Sequence, residues 1–152
     1  MKICPQCAKQ YADDLAACPI DREPLVRLAC MADEYLGHFL AELPWGFEAA
    51  AELGPHTRST SGDTPLHIAA IRGEVRAIEL LLNAGAEIDA SGENGFTPLH
   101  YAVEQVKLEA VRVLLARGAS VEARNDFNET PRDIAELRND QAIRALLHVN
   151  AT

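Results

Sequence analysis

Two adjacent windows of this chain are copies of each other and decide its fold. Residues 62–94 read GDTPLHIAAIRGEVRAIELLLNAGAEIDASGEN, and residues 95–127 read GFTPLHYAVEQVKLEAVRVLLARGASVEARNDF. The windows are 33 residues each, align without a gap, and share Thr-Pro-Leu-His, a Leu-Leu pair and Gly-Ala. Self-similarity at a fixed period of this length is the signature of a repeat architecture. We therefore predict a stack of consecutive repeats.

The shared residues predict the structure of each copy. Thr64 can cap a helix through its hydroxyl, and Pro65 suits the first helical position, where no N–H is needed. Apolar residues then recur at helical spacing in two short stretches. Gly85 is predicted to end the second helix, and the polar stretch DASGEN (89–94) leads to the next copy. Each copy is therefore a helix, a turn, a helix and a projecting loop.

A third, partial copy follows at residues 128–152, NETPRDIAELRNDQAIRALLHVNAT. It keeps Thr-Pro and a Leu-Leu pair but, counted to that pair, is one residue shorter between its helices. Arg132 and Asp133 replace Leu and His, which predicts a polar end that seals the stack. Asp133 also lies three residues after Thr130, a spacing typical of a helix-capping pair.

The turn between the two helices is expected to need a positive φ. Gly73 and Asn139 tolerate this conformation, whereas the second copy offers the β-branched Val106, which would be strained. We therefore expect that this turn differs locally or that Gln105 takes the position.

The segment before the copies also has a helical pattern. PLVRLACMADEYLGHFLAEL (24–43) carries apolar residues at helical spacing up to Pro44, and GFEAAAEL (46–53) predicts a second short helix. Both lack Thr-Pro-Leu-His but lie where a preceding repeat belongs, so residues 29–61 are interpreted as a divergent helical N-terminal cap and linker.

The copies resemble the ankyrin repeat, in TPLH followed by LLNAGAEIDA and LLARGASVEA. The resemblance implies a mainly α fold, a short solenoid of helix pairs over 62–152 (62–94, 95–127 and the partial cap 128–152). His67 and His100 are then structural, bonding across the turn to neighbouring backbone or the Thr hydroxyl. Partners would contact the loop tips and the inner helices. The residues expected there are Ile71, Arg72, Ser91, Gly92, Glu93, Asn94, Tyr101, Glu104, Gln105, Arg124, Asn125, Asp126, Phe127 and Asn128.

The aromatic members of this set are the first candidates for partner anchors, because aromatic residues dominate interface energetics. Phe127 has an alternative interpretation, in which it packs against the third copy as a loop staple.

The start of the chain, MKICPQCAKQYADDLAACPIDREPL, resembles a small zinc ribbon over residues 1–28. Three thiolates and a carboxylate, Cys4, Cys7, Cys18 and Asp21, form an acceptable tetrahedral set for a structural Zn²⁺. Cys30, His38 or His56 as the fourth ligand, or a ribbon that has lost its metal, are the alternatives. A catalytic zinc is not expected, because no open position with a nearby general base is evident.

Charge and composition exclude several functions. The net charge is -9, and residues 1–30 carry four basic and four acidic side chains, so the acidic excess lies in residues 31–152. Such a body repels nucleic-acid phosphates and anionic lipid, which favours a protein partner that is neutral or basic at the contact. No apolar run approaches the length of a membrane span, no secretory leader is evident, and paired cysteines without one indicate a cytoplasmic protein.

No phosphate-binding, nucleophile-elbow or metalloprotease motif occurs, and no enzyme is expected. The sequence predicts a non-catalytic protein–protein interaction module with a structural zinc site. An inhibitor or immunity-type protein that neutralises one cognate partner is the first alternative, and a nucleic-acid adaptor acting through the ribbon is the second.

Overall fold

The computed structural model of the 152-residue chain describes residues 2–3, 10–11, 26–27, 38–40, 42–43 and 54–149. The proposed zinc ligands Cys4, Cys7, Cys18 and Asp21, the alternative ligand Cys30 and the helix predicted at 46–53 lie outside the described residues. The described part is mainly helical. None of the helices in these ranges has the length and apolar character to cross a bilayer.

Three helix pairs follow one another, as the repeats predict. The first helices are α1 (Pro65–Arg72), α3 (Pro98–Glu104) and α5 (Pro131–Arg138). The second helices are α2 (Val75–Asn83), α4 (Leu108–Ala116) and α6 (Gln141–Val149). A short 3-10 turn, Glu93–Gly95, lies in the loop between α2 and α3. Helices α1, α3 and α5 pack side by side in one row, and α2, α4 and α6 pack in a second row behind it.

The predicted helix starts are confirmed. Each first helix begins directly after a threonine and has proline at its start. In the third copy the Asp133 carboxylate accepts hydrogen bonds from both the N–H and the hydroxyl of Thr130, each at 2.8 Å. These bonds lower the pKa of Asp133, because they favour its charged form. The capping pair predicted at this position is therefore present.

The inter-helix turn of the second copy corrects the sequence prediction. Val106 itself adopts the left-handed conformation, with φ 55°, whereas Gln105 has φ -85°. Gly73 (φ 75°) and Asn139 (φ 54°) hold the same place in the other copies, as expected. Both alternatives for this turn were wrong: the repeat geometry imposes the same turn in every copy and overrides the steric preference of valine.

The third copy is not one residue shorter, so that interpretation of the sequence was wrong. Its second helix begins 33 residues after that of the second copy, the same interval that separates the first two copies. Leu147 is fully buried, as are Leu81 and Leu114 at the equivalent positions. The Leu-Leu pair misleads the alignment because Leu146 and Leu147 lie one helical position earlier than the leucine pair chosen in the other copies.

The core runs through all three helix pairs and reaches the residues that precede them. Its largest fully buried apolar side chains are Leu66, Ile78, Leu81, Leu99, Val103, Val111, Leu114, Ile143 and Leu147. Phe39, in the helical residues 38–40, is 3% exposed and belongs to the same core. The Arg72 guanidinium lies 5.6 Å from the Phe39 ring centroid and donates to the carbonyl of Glu42 at 2.9 Å. Residues 38–43 thus pack against the first repeat.

Three two-residue strands are present near the start of the chain. They are β1 (Lys2–Ile3), β2 (Gln10–Tyr11) and β3 (Val26–Arg27), in the antiparallel order β2-β1-β3. The helical pattern predicted over 24–43 is therefore wrong at its beginning. Backbone pairing of Val26–Arg27 with Lys2–Ile3 determines their conformation, whereas residues 38–40 are helical as predicted.

Candidate functional site

Three loop tips project from the helix stack, each in front of a first helix. We call them tip 1 (residues 58–63), tip 2 (91–96) and tip 3 (124–129). Each is closed by one backbone hydrogen bond across its ends: Ser59 to Asp63 at 2.7 Å, Gly92 to Phe96 at 2.7 Å and Asn125 to Glu129 at 3.0 Å. The tips are therefore built on one plan and recur at the repeat interval.

Two buried histidines tie each repeat to the following tip. His67 Nδ1 accepts the N–H of Thr64 at 2.9 Å, so its proton lies on Nε2, which donates to the carbonyl of Phe96 in tip 2 at 3.0 Å. His100 makes the same connection to the carbonyl of Glu129 in tip 3, at 3.2 Å. The predicted structural role of both histidines is confirmed.

Burial lowers the pKa of both histidines, because the apolar surroundings disfavour the charged imidazolium. Both ring nitrogens are occupied by bonds that hold the fold together. Within the described ranges, no group of three or more His, Cys, Asp or Glu side chains is placed to hold a metal ion.

Asp63 joins tip 1 to tip 2 and to helix α3. It is 7% exposed, and its Oδ1 accepts the N–H of Glu93 at 3.0 Å and the hydroxyl of Tyr101 at 3.5 Å. Gly92 lies so close to this carboxylate that a Cβ there would collide with Asp63 and with the His67 ring. Glycine at position 92 is thus required by the close approach of two repeats.

Tip 3 is organised by the side chain of Asn125. Its Oδ1 accepts the N–H of Phe127 at 3.0 Å and that of Glu129 at 2.9 Å, and the residue is only 5% exposed. Asn125 was expected to contact a partner, but its carboxamide is turned into its own loop. These bonds hold the backbone that presents Phe127.

Three aromatic rings lie together at tips 2 and 3. We call Phe96, Tyr101 and Phe127 the aromatic surface: the ring centroids of Phe96 lie 5.1 Å from Tyr101 and 6.5 Å from Phe127. The Phe127 side chain is 63% exposed and meets the half-buried Phe96 edge to face. It therefore does not pack away as a loop staple, and its partner ring belongs to the preceding tip.

Sequence reasoning missed Phe96, which connects the other two rings. The available signal was a large apolar residue directly before Thr97, at the position that holds Asp63 in the first copy. It missed Leu137 as well, which is 76% exposed on the inner helix α5. The 33-residue register from Ile71 through Glu104 leads directly to Leu137, but the interpretation of the third copy as a sealing end directs attention away from it.

The surroundings of Tyr101 carry negative charge. Its pKa is raised, first by burial and then by the carboxylates of Asp63, Glu93 and Glu104, which disfavour a phenolate. Glu104 is also 3.4 Å from the guanidinium of Arg138 on the neighbouring inner helix.

The expected contact residues differ in exposure. Exposed positions are Arg72, Ser91, Glu93, Asn94, Gln105, Arg124, Asp126, Phe127 and Asn128; half-buried positions are Ile71, Gly92, Tyr101 and Glu104; Asn125 is buried. Arg72 is occupied by its contacts with Phe39 and Glu42.

Comparison with known families agrees with this architecture. A family model described as ankyrin repeats (3 copies) matches residues 27–125. Because the match covers more than half of the chain, this protein belongs to the ankyrin-repeat family. The matched span includes most of the segment interpreted as the N-terminal cap. No curated protein matches the chain. Ankyrin repeats generally mediate protein–protein interactions and are typically non-catalytic.

Proposed function

We propose that this chain is a non-catalytic module that binds one protein partner through its loop tips and the exposed face of its inner helices. The observation that carries the proposal is the aromatic surface, with Phe127 63% exposed on a tip whose backbone is fixed by Asn125. Aromatic side chains at the centre of a contact supply most of the binding energy in many interfaces.

The tips are also held in place before any partner arrives. The histidine bonds and the Asp63 contacts connect tips 1 and 2 to the helices, so little ordering is needed when a partner binds. Preorganisation of this kind raises affinity, because less conformational entropy is lost on association. The geometry is that of a rigid recognition face.

Affinity capture from the native host, with the partner identified by mass spectrometry, tests this proposal. The native chain should retain one partner near one-to-one, and Phe127→Ala should weaken that complex by at least about tenfold if the ring is an anchor. Val149→Ala, an exposed apolar residue at the end of the outer helix α6, is the matched control. A partner retained equally by all three chains would contradict the proposed face.

An inhibitor of one basic partner is a special case that the acidic composition favours, since complementary charge accelerates association. In that case the captured partner would lose its own activity when the two proteins are mixed in equal amounts. Retained activity would leave a scaffold as the function.

We further propose a structural Zn²⁺ bound by Cys4, Cys7, Cys18 and Asp21. Strand topology supports this ligand set. Ile3 of β1 pairs with both Gln10 and Val26, and Cys4 follows Ile3 directly. The segment 4–9, which contains Cys7, therefore leaves and re-enters the sheet at one end, and the segment containing Cys18 and Asp21 leads to the same end at Val26.

The donor chemistry agrees with this metal, because zinc accepts thiolates together with one carboxylate. Zinc would also replace the hydrophobic core that so short a module cannot form. Among the alternative fourth ligands, His38 and His56 are both exposed.

Metal analysis of the protein purified under reducing conditions tests this site. The native chain should contain about one zinc per chain, Cys7→Ser should lose most of it, and Cys30→Ser should keep it. Retention by Asp21→Ala would transfer the fourth position to another residue. A native chain without zinc after refolding in its presence would contradict the site itself.

A further inference from the structure

We infer that the aromatic surface receives an arginine or lysine side chain from an extended segment of the protein partner. This inference rests on the proposed function and specifies the chemistry of the partner. A cation over the face of Phe127 or Tyr101 would be attracted by the ring quadrupole. Nearby carboxylates would add to that attraction.

Two of these carboxylates border the aromatic surface. Glu93 lies in tip 2, and Asp126 directly precedes Phe127 in tip 3. The N–H of Asp126 donates to the carbonyl of Asn94 at 2.9 Å, and a Cβ built on Gly95 would lie 2.7 Å from the Asp126 carboxylate. Tip 3 is thus joined to tip 2, and the two acidic side chains lie at the border of the same rings. Within the described part of the chain, neither carboxylate forms an ion pair.

The arginines of the tips are directed elsewhere. Arg58 donates to the backbone carbonyls of Gly62 and Ser91, at 3.0 and 2.7 Å, and Arg124 donates to the carbonyl of Asn128 at 2.8 Å. Their guanidinium groups reinforce the loop backbones. The negative charge beside the rings is therefore available to an incoming cation.

Charge complementarity selects the occupant. An acidic segment would be repelled by Glu93, Asp126 and the net charge of -9, and a second copy of this chain would carry the same charge. A purely apolar segment would bury the two carboxylates without a partner, which is costly. The raised pKa of Tyr101 is consistent with a negative potential at this place, since Asp63, Glu93 and Glu104 all contribute to it.

Short blocked peptides of Gly and Ser provide the probe. One version carries several Arg, a second carries Lys, a third has Glu, and a fourth has citrulline, which keeps the shape of Arg without its charge. Binding to the ¹⁵N-labelled full chain is followed by amide chemical shifts, at low and at moderate salt. The Arg and Lys peptides should shift amides of tips 2 and 3, and the Glu and citrulline peptides should not.

Variants separate the ring from the charges. Phe127→Ala should weaken binding of the Arg peptide about two- to fivefold, the change expected for one exposed cation–ring contact. Glu93→Gln/Asp126→Asn should weaken it by at least as much and flatten its salt dependence. Val149→Ala and Glu79→Gln, both exposed on outer helices, should leave it unchanged.

Three results would overturn the inference: equal binding of the citrulline and Arg peptides, shifts confined to other parts of the chain, or Arg-peptide binding that is insensitive to Phe127→Ala and to the charge variants. The native partner distinguishes this failure from failure of the proposed function. A captured partner that depends on Phe127 while cationic peptides fail leaves the binding face intact with a different occupant. A partner insensitive to every tip variant contradicts the face itself.

Discussion

Relieving the left-handed turn at Val106 should stabilise the protein. Val106 holds a φ of 55° in the turn where the other copies use Gly73 and Asn139. The substitution Val106→Asn keeps the backbone N–H that donates to the carbonyl of Val103 at 3.1 Å, and supplies a residue that adopts this conformation readily.

The magnitude follows from two opposing effects. An L-residue in the left-handed region costs about 1–2 kcal/mol, most of which Asn avoids. Val106 is 44% exposed, so about half of its side chain is buried, and losing that burial costs at most about 0.8 kcal/mol. The net gain in unfolding free energy is therefore about 0.5–1 kcal/mol. For an array of this size the gain corresponds to a rise in Tm of roughly 3–6 °C.

Thermal and urea unfolding, followed by circular dichroism with the thiols kept reduced, measure this change. Asn139→Val is the matched reverse substitution, and it should cost about 1 kcal/mol or more because Asn139 is exposed and valine gains little burial there. Val106→Ala, which keeps a Cβ but removes the branched methyl groups, should stay within about 0.5 kcal/mol of the native chain. The reasoning is refuted if Val106→Asn is no more stable than the native chain and Asn139→Val is neutral.

Three further outcomes are expected. Burial lowers the folded-state pKa of His67 and His100 below 6.5, so stability is full above that pH and falls as the pH decreases below it, by at most about 1.4 kcal/mol per pH unit for each histidine; urea midpoints between about pH 7.5 and 5.5 should show this, and a shallower slope is expected for His100→Gln. Gly92→Ala should cost about 1–3 kcal/mol in the same assay, whereas Gly54→Ala, whose added Cβ would meet no atom within 4 Å, should be neutral; equal effects would contradict the close approach at position 92. Asp133→Ala should lower the unfolding free energy by about 0.5–1 kcal/mol through loss of the cap, and a value near zero would show that the cap is redundant.

Local sequence was sufficient for the repeat boundaries. The threonine–proline starts, the glycines after the second helices and the Thr130–Asp133 pair act within a few residues, so their roles can be inferred without knowing the fold. The register of the third copy was misjudged for the same reason: a conspicuous leucine pair was weighed above the constant interval between helices. Packing restores that interval, because Leu147 must reach the layer formed with Leu114.

The aromatic surface could be predicted only in part. Tyr101 and Phe127 are candidates from the sequence, but their connection through Phe96 depends on two tips coming together. Likewise, the burial of Asn125 results from hydrogen bonds within its loop that no spacing rule reveals.

The amino-acid sequence by itself determined that this protein is a stack of helix pairs, because capping residues and apolar spacing are local and repeat every 33 residues. Tertiary structure decided which side chains share a surface. It also placed Val106 in a left-handed turn and Val26–Arg27 in a strand. These outcomes depend on contacts between residues distant in the chain, whose packing and hydrogen bonds outweigh local preference.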